Sequence, residues 1–185
     1  MYATATSLDG FLADDADSLD WLFAVPGGDD SIAALTSFVD GVGVLVMGST
    51  TYRWVVEHER LTEEPEKWRS FYGDRPTFVF SSRSDLPVIP GADVRVRSGE
   101  VRDHVEQIRA AAGGGDVWVM GGGDLAGQFD DAGVLSQLRL SVAAVTLGAG
   151  APLLPRRIES DRLRLASVEQ IGQFAQLTYT LVPRD

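Results

Sequence analysis

The sequence predicts an α/β fold of three layers, with a mostly parallel central sheet between helices and antiparallel strands at its C-terminal edge. Two observations support this prediction. Short apolar runs alternate with helical patterns as far as residue 132, and only strand patterns follow. Crossover helices between parallel strands produce the first pattern, whereas strands in direct succession usually pair antiparallel.

Each strand is predicted from an apolar run or from an alternation of apolar and polar residues. The run from Val42 to Met47 is apolar, as in a strand buried on both faces. Residues 162–168 and 174–182 flank Gly172, which indicates a closing antiparallel hairpin. Further strands are expected at residues 2–8, 77–80, 93–97, 117–120 and 138–147.

Helices are predicted where apolar residues recur at helical spacing behind a capping residue. Asp29 or Asp30 caps the first, whose apolar face is Ile32, Leu35 and Val39. Asp103 caps a later one that ends at the glycines 113–115. Other helices are expected after Gly48, over residues 63–72 and after the glycine triplet 121–123. The irregular stretch 14–28 is long for a compact domain, which favours a functional loop.

Composition narrows the possible partners. The chain has 185 residues, 44% hydrophobic and 23% charged, which fits one globular domain over residues 1–185. Its net charge of −11 argues against nucleic acid and anionic membranes, which both need a basic face. Cysteine is absent and only His58 and His104 carry imidazoles, so no metal centre is expected. Without a membrane span or a signal pattern, the expected location is cytoplasmic.

The most informative segment is the turn Gly121-Gly122-Gly123, which lies between an apolar run ending at Met120 and a helical pattern beginning at Leu125. Unpaired N–H groups at a helix N-terminus lie at the positive end of the helix dipole and suit a phosphate. Glycine also lets a ligand approach the backbone. A tight turn without a ligand explains the same residues equally well.

Two other strand ends carry related chemistry. Gly48 is followed by the hydroxyl residues 49–51, and Phe80 by Ser81, Ser82 and Arg83. The carboxyl ends of parallel strands share one edge, where open α/β folds bind ligands. Two helix N-termini and several hydroxyl donors suit a dinucleotide better than a single phosphate. The spacing is not that of the Rossmann fingerprint.

Taken together, the motifs resemble the dihydrofolate reductase-like fold, most closely its bacterial branch related to the reductase domain of riboflavin biosynthesis. They cover nearly the whole chain and are SLDGFLA (7–13), VMGSTTY (46–52), FSSR (80–83), VMGGG (119–123), LRLS (138–141) and LGAGAPL (147–153). The resemblance implies NADPH as the cofactor and a small molecule as the substrate.

By position, the resemblance assigns the phosphates of NADPH to Gly48, Ser49, Thr50 and Thr51. It assigns the adenosine ribose and its 2′-phosphate to Ser81, Ser82 and Arg83. The pyrophosphate belongs to Met120, Gly121, Gly122, Gly123, Asp124 and Leu125, with a cis bond between Gly121 and Gly122. Ala5 and Leu12 border the nicotinamide. The substrate is expected to contact Trp21, Leu35, Phe38 and Ser141. Trp21 lies on a loop that closes over the site; alternatively, it is only an apolar anchor that fixes this loop.

Departures from the family pattern leave the activity open. Ser49 stands where dihydrofolate reductases have an arginine, so binding of a 2′-phosphate depends on Arg83. Alternatively, Arg83 is only an exposed charge on a loop. Asp124 is interpreted as a helix cap. No carboxylate takes the place of the acid that holds the pterin ring, and Phe11 replaces a polar residue of the riboflavin branch. The remaining candidates for the proton donor are Asp9, Asp20 and Asp30. A role in a turn explains Asp9 more simply, and a role as a helix cap explains Asp30 more simply. Trp21 is a further catalytic candidate.

Two functions remain. One is an NADPH-dependent reductase that transfers a hydride to a small heterocycle or carbonyl compound. The other is a non-catalytic module that binds a nucleotide or another ligand on the same fold. A homodimer is also expected, because the riboflavin-type relatives pair through C-terminal strands and the chain shares segment 138–152. An uncovered strand edge there would promote association.

Overall fold

The computed structural model describes residues 1–26 and 38–183. Its strands are β1 (Tyr2–Thr6), β2 (Phe11–Ala13), β3 (Val42–Gly48), β4 (Thr77–Phe80), β5 (Val94–Arg97), β6 (Asp116–Gly121), β7 (Gln137–Ala143), β8 (Ala151–Pro152), β9 (Leu163–Ile171) and β10 (Phe174–Leu181). Its helices are α1 (Asp20–Phe23), α2 (Ser49–His58), α3 (Glu66–Tyr72), α4 (Val105–Ala112) and α5 (Gly123–Asp131), with a 3₁₀ turn at Val101–Asp103. Within the described ranges, no helix could cross a membrane.

Eight strands form one sheet in the order β5-β4-β3-β6-β1-β7-β10-β9. The neighbours from β5 to β7 pair in parallel. Strand β10 pairs antiparallel with both β7 and β9, and β2 pairs with β8 in a small separate ribbon. The predicted fold class, a mostly parallel sheet with an antiparallel C-terminal edge, is therefore confirmed.

Two apolar layers cover the sheet. On one face, which we call the α4/α5 face, Val46 and Phe78 pack with Ile108 and Phe129 of those helices. On the α2/α3 face, Leu45 and Met47 pack with the helical residues Val55 and Trp68. Successive side chains of a strand point to opposite faces, so β3, which is covered on both, appears in the sequence as an unbroken apolar run.

Three predicted boundaries are corrected. Strand β1 ends at Thr6 and not at residue 8, because a turn follows in which the Gly10 N–H donates to the Ser7 carbonyl over 3.1 Å. Strand β7 ends at Ala143, well before residue 147. Asp103 is no cap, since it lies in the 3₁₀ turn and α4 follows His104 without a side-chain capping bond. The predicted helix from Asp29 or Asp30 falls mostly outside the described residues.

Candidate cofactor and substrate site

The three glycine- and serine-rich strand ends meet at one edge of the sheet. Strands β4, β3 and β6 are direct neighbours, and they run parallel. Helix α2 begins right after Gly48, and α5 begins right after Gly122. We call this edge the rim. Two helix N-termini and the turn at residues 81–83 therefore lie along the rim, as the sequence predicts.

Gly48 presents open backbone at the rim. A Cβ atom built on it would meet no atom within 4 Å. Its backbone angles, φ −79° and ψ 164°, are ones that any residue adopts. Neither packing nor conformation therefore requires a glycine here, and the open space next to the N–H groups of α2 suits an incoming phosphate.

The glycine triplet is explained largely by the fold itself. A Cβ on Gly121 would lie 2.7 Å from the Thr51 Oγ1, and one on Gly123 would lie 2.2 Å from the Pro152 carbonyl oxygen. Gly122 has φ +90°, a conformation that side chains resist. The expected cis bond between Gly121 and Gly122 is wrong, since every peptide bond in the described ranges is trans. The positive φ of Gly122 makes the turn instead.

Asp124 does not cap the helix as predicted. The residue at the cap position of α5 is Gly122, and Asp124 lies in the first turn. Its carboxylate accepts from the Gln128 Nε2 over 2.9 Å and pairs with Arg156 over 3.0 Å. The Gln128 hydrogen bond first, and then Arg156, lower the pKa of Asp124. Arg156 also pairs with Asp131 over 2.9 Å, so its single positive charge is shared by two carboxylates and offsets only part of the negative charge that Asp124 brings to the rim.

The turn after β4 holds Arg83 in an ion pair. The Ser81 hydroxyl accepts from the Arg83 N–H over 2.9 Å, while Ser82 is exposed. The Arg83 guanidinium contacts both carboxylate oxygens of Asp85, at 3.2 and 3.3 Å. Arg53 approaches the same carboxylate to 2.9 Å. The hydrogen bond from Arg83 is the main cause that lowers the pKa of Asp85 to about 2. A phosphate that binds Arg83 would have to compete with Asp85.

Asp9 is engaged in a turn. It accepts from the Ser7 hydroxyl over 2.6 Å, from the Leu147 N–H over 3.1 Å and from the Gly148 N–H over 2.7 Å. These bonds, that of Ser7 first, lower the pKa of Asp9. A carboxylate that is stabilised as the anion is a poor proton donor, so the structural explanation of Asp9 is the stronger one. Asp20 is exposed at the start of α1, and Asp30 lies outside the described residues.

The loop over residues 14–26 is attached to α2 by stacked rings. Phe23 lies 4.9 Å from His58 at an interplanar angle of 13°, and His58 lies 4.4 Å from Trp54 at 15°. Trp21 is half-buried, and its Nε1 is covered and finds no acceptor among the described residues. The loop therefore carries a hydrogen-bond donor without an acceptor among the described residues, and the contact of Trp21 with a ligand stays a prediction.

The α2/α3 face near the rim brings other predicted substrate residues together. Ser141 pairs with Ala5 across β7 and β1. Arg139, two residues before Ser141 and therefore on the same face, lies over the Phe38 ring at 5.2 Å. Phe38 in turn packs edge-on against Trp118 at 4.9 Å. Phe38 and Ser141 thus line one region. Leu12 is half-buried in β2, and Leu35 lies outside the described residues.

Gln176 belongs to this region and was not among the predicted residues. It is only 6% exposed, and it pairs with Ser141 in the register of β10 and β7. The Ser141 hydroxyl donates to its Oε1 over 2.9 Å. The signal in the sequence is a glutamine two residues after Phe174, in a strand whose other buried residues, Phe174 and Leu181, are apolar.

The comparisons with known proteins agree with this architecture. The family described as the RibD C-terminal domain matches residues 1–177. An uncharacterised protein of Bacillus subtilis (strain 168), YwjB, is 27% identical over 175 residues, which cover 95% of this chain and 93% of YwjB.

Solved structures show the same fold at low identity. A protein from Shewanella sp. PV-4, named as a candidate for riboflavin biosynthesis, superposes with a TM-score of 0.69 at 24% identity over 98% of this chain and 97% of that one. A dihydrofolate reductase from Enterococcus faecalis, complexed with NADP(H), superposes with a TM-score of 0.55 at 18% identity, over 100% of this chain and 95% of that one. These likenesses are evidence for the fold alone.

Proposed function

Because the chain belongs to the RibD C-terminal domain family, we propose that it is a reductase that uses NADPH to reduce a small heterocyclic or carbonyl compound by hydride transfer. The observation that carries this proposal is the rim. Two helix N-termini and a serine–arginine turn lie on three neighbouring strands, which matches a ligand with several separated phosphates.

The residues of the rim fit such a cofactor. Open backbone at Gly48 and the N–H groups at the start of α2 and α5 would bind the phosphates, while Arg156 offsets part of the charge of Asp124. Ser81, Ser82 and Arg83 would bind the adenosine end. When bound, NADPH supplies the hydride.

Side chains of the α2/α3 face would orient the acceptor. Phe38 and Trp118 provide aromatic surface, and Arg139, Ser141 and Gln176 provide polar contacts. Ala5, small and in register with Ser141, leaves room for a ring at the end of β1. Trp21 would complete the enclosure and exclude water, which strengthens the polar contacts inside.

The second candidate, a binding module without turnover, has one observation in its favour. Asp9, which lies between Ala5 and Leu12 of the proposed nicotinamide end, is held as an anion by three hydrogen bonds. A reductase that protonates its substrate would then need another donor or a water molecule.

A titration followed by a turnover assay tests both candidates. We expect NADPH to quench the tryptophan fluorescence saturably, and NADPH oxidation to accelerate when pyrimidine or pterin compounds are added. Saturable binding without oxidation of NADPH by any acceptor would favour the module. The absence of binding by NADPH, NADH and NADP⁺ would refute both nucleotide-based proposals.

A further inference from the structure

The segment of residues 14–26 has little to hold it on the sheet. Among the described residues, none of the segment is buried, and none belongs to either apolar layer of the sheet. Its described backbone hydrogen bonds stay within the segment, as does the one of 2.9 Å from the Leu22 N–H to the Leu19 carbonyl. Helix α1 is a single turn, too short to be stable by itself. The ring contacts of Phe23 are therefore the attachment that fixes where this segment lies.

Three nearly parallel rings form that attachment. Phe23 stacks on His58 at 4.9 Å and reaches Trp54 at 6.0 Å, with interplanar angles of 13° and 11°. His58 also stacks on Trp54 at 4.4 Å, four residues away on the same side of α2. Trp54 packs against the apolar layer of the α2/α3 face, whereas Phe23 remains 59% exposed. We call these three rings the clasp.

The strength of the clasp suits an attachment that opens and closes. A stacked aromatic pair shifts an equilibrium by about two- to tenfold. Opening would break no described hydrogen bond between the segment and the rest of the molecule, and it would leave both apolar layers intact. Such a segment opens locally, at a small fraction of the free energy of global unfolding.

We propose that His58, on a base formed by Trp54, is a positioning residue that controls ligand exchange from the far end of α2. The segment begins after β2, which follows the turn at the end of β1. Since β1 runs parallel to β6, that end lies on the side of the rim. The clasp lies at the other end of α2, about 13 Å along the helix axis. Opening it releases Trp21, two residues before Phe23, and clears the way for a ligand. The control of ligand exchange rests on the proposed function, whereas the clasp itself does not.

Hydrogen exchange followed by NMR tests the clasp without any ligand. The amides of Leu22 and Ala24 are bonded within the segment and report its opening. Phe23→Ala and His58→Ala should each speed up their exchange about tenfold, with little change in Tm because both side chains are exposed. His58→Phe keeps a flat ring and should restore the wild-type exchange. Phe71→Ala is the matched control, since it truncates a ring on α3 that is 54% exposed, and it should change nothing.

A double variant separates the clasp from a role of the rings within α2 alone. If Phe23 and His58 act together, Phe23→Ala combined with His58→Ala should exchange no faster than about the faster single variant. If His58 supports only its own helix, His58→Ala lowers Tm and leaves the exchange of the segment unchanged. That result would overturn the proposal, and so would a double variant in which the two single effects multiply.

Stopped-flow fluorescence with NADPH tests the control of ligand exchange. Release of NADPH should be about tenfold faster in Phe23→Ala and His58→Ala, in proportion to the larger open fraction, and normal in His58→Phe and Phe71→Ala. Normal release from a variant whose segment exchanges faster would overturn this control. If no nicotinamide nucleotide binds, the proposed function fails, and hydrogen exchange alone upholds or overturns the clasp.

Discussion

At the scale of single residues, the sequence predicts where glycine matters but not why. Gly121 and Gly123 are required by close contacts with Thr51 and with the Pro152 backbone, and these come from segments that no local pattern connects. A Cβ on Gly48 would meet no atom within 4 Å, so Gly48 is the better indicator of a ligand. The ion pair between Arg156 and Asp124 could not be predicted from a local pattern either, because it joins residues 32 positions apart.

Gly48→Val tests the rim without disturbing the core. The added side chain has free space and an allowed backbone conformation, so the protein should fold with only the modest loss expected for a poorer helix cap, about 1 kcal/mol. NADPH binding should weaken at least tenfold, since the side chain blocks charge-assisted contacts to the phosphate. Isothermal titration calorimetry measures the affinity for NADPH, and Ala166→Val on the exposed strand β9 is the control. Normal affinity in a folded Gly48→Val protein would remove Gly48 from the site.

Asp85→Asn tests whether Arg83 recognises the 2′-phosphate. Loss of the carboxylate releases the guanidinium from its ion pair, so NADPH should bind several-fold more tightly while the affinity for NADH stays the same. Arg83→Ala should have the opposite effect and weaken NADPH about tenfold more than NADH. The control is Asp74→Asn, which breaks the exposed ion pair with Arg69. If both nucleotides respond alike to these changes, Arg83 is an ordinary surface charge.

At the scale of elements, periodicity identified the eight strands of the main sheet and most helices, but it missed the short strands β2 and β8. The other errors lie at the ends of elements. β1 stops early because the hydroxyl of Ser7 and the carboxylate of Asp9 form a turn. That turn is fixed by the N–H groups of Leu147 and Gly148, which lie far along the chain. A pattern of apolar residues reports burial and carries no information about such distant polar partners.

The Asp9 turn predicts a stability that depends on pH. Its carboxyl has a lower pKa in the folded protein than the usual 3.8, so its contribution is full above that value and is lost as pH falls through the folded pKa. The Tm advantage of the wild type over Asp9→Asn should be constant above about pH 5 and shrink as pH falls below about 4. Thermal unfolding from neutral to acidic pH measures this. Asp15→Asn, at an exposed position, should show no such trend, and an advantage that is independent of pH would contradict the assignment.

At the scale of the whole molecule, the strand order shows that segment 138–152 does not supply the sheet edge that we expected to form a dimer. The dimer itself stays a prediction. β7 lies between β1 and β10, and its residues Leu138 and Leu140 are in the core. The free edge at this end of the sheet is β9, and the other free edge is β5. A register shift between residues 178 and 179 aligns Leu165 with Tyr179 and Val168 with Leu177, so both exposed side chains lie on one face.

We propose that two chains associate through this β9 face. Leu165 and Val168 are 57% and 60% exposed, and an apolar edge strand favours pairing. Light scattering should give twice the chain mass of 19.9 kDa, and Leu165→Lys with Val168→Lys should give the single-chain mass. Val88→Lys, at an exposed loop position, should leave the mass unchanged. A wild-type protein that scatters as one chain at micromolar concentration would refute the dimer.

The central position of β1 has a consequence for how the chain folds. Tyr2 pairs with Val119 and with Leu138, so during synthesis β1 waits for partners that are made more than a hundred residues after it. Such distant pairings slow folding, because a long loop must close before they form. A nascent chain that ends before β7 leaves β1 with one side unpaired, and the sheet is completed only after β9 and β10 have been made.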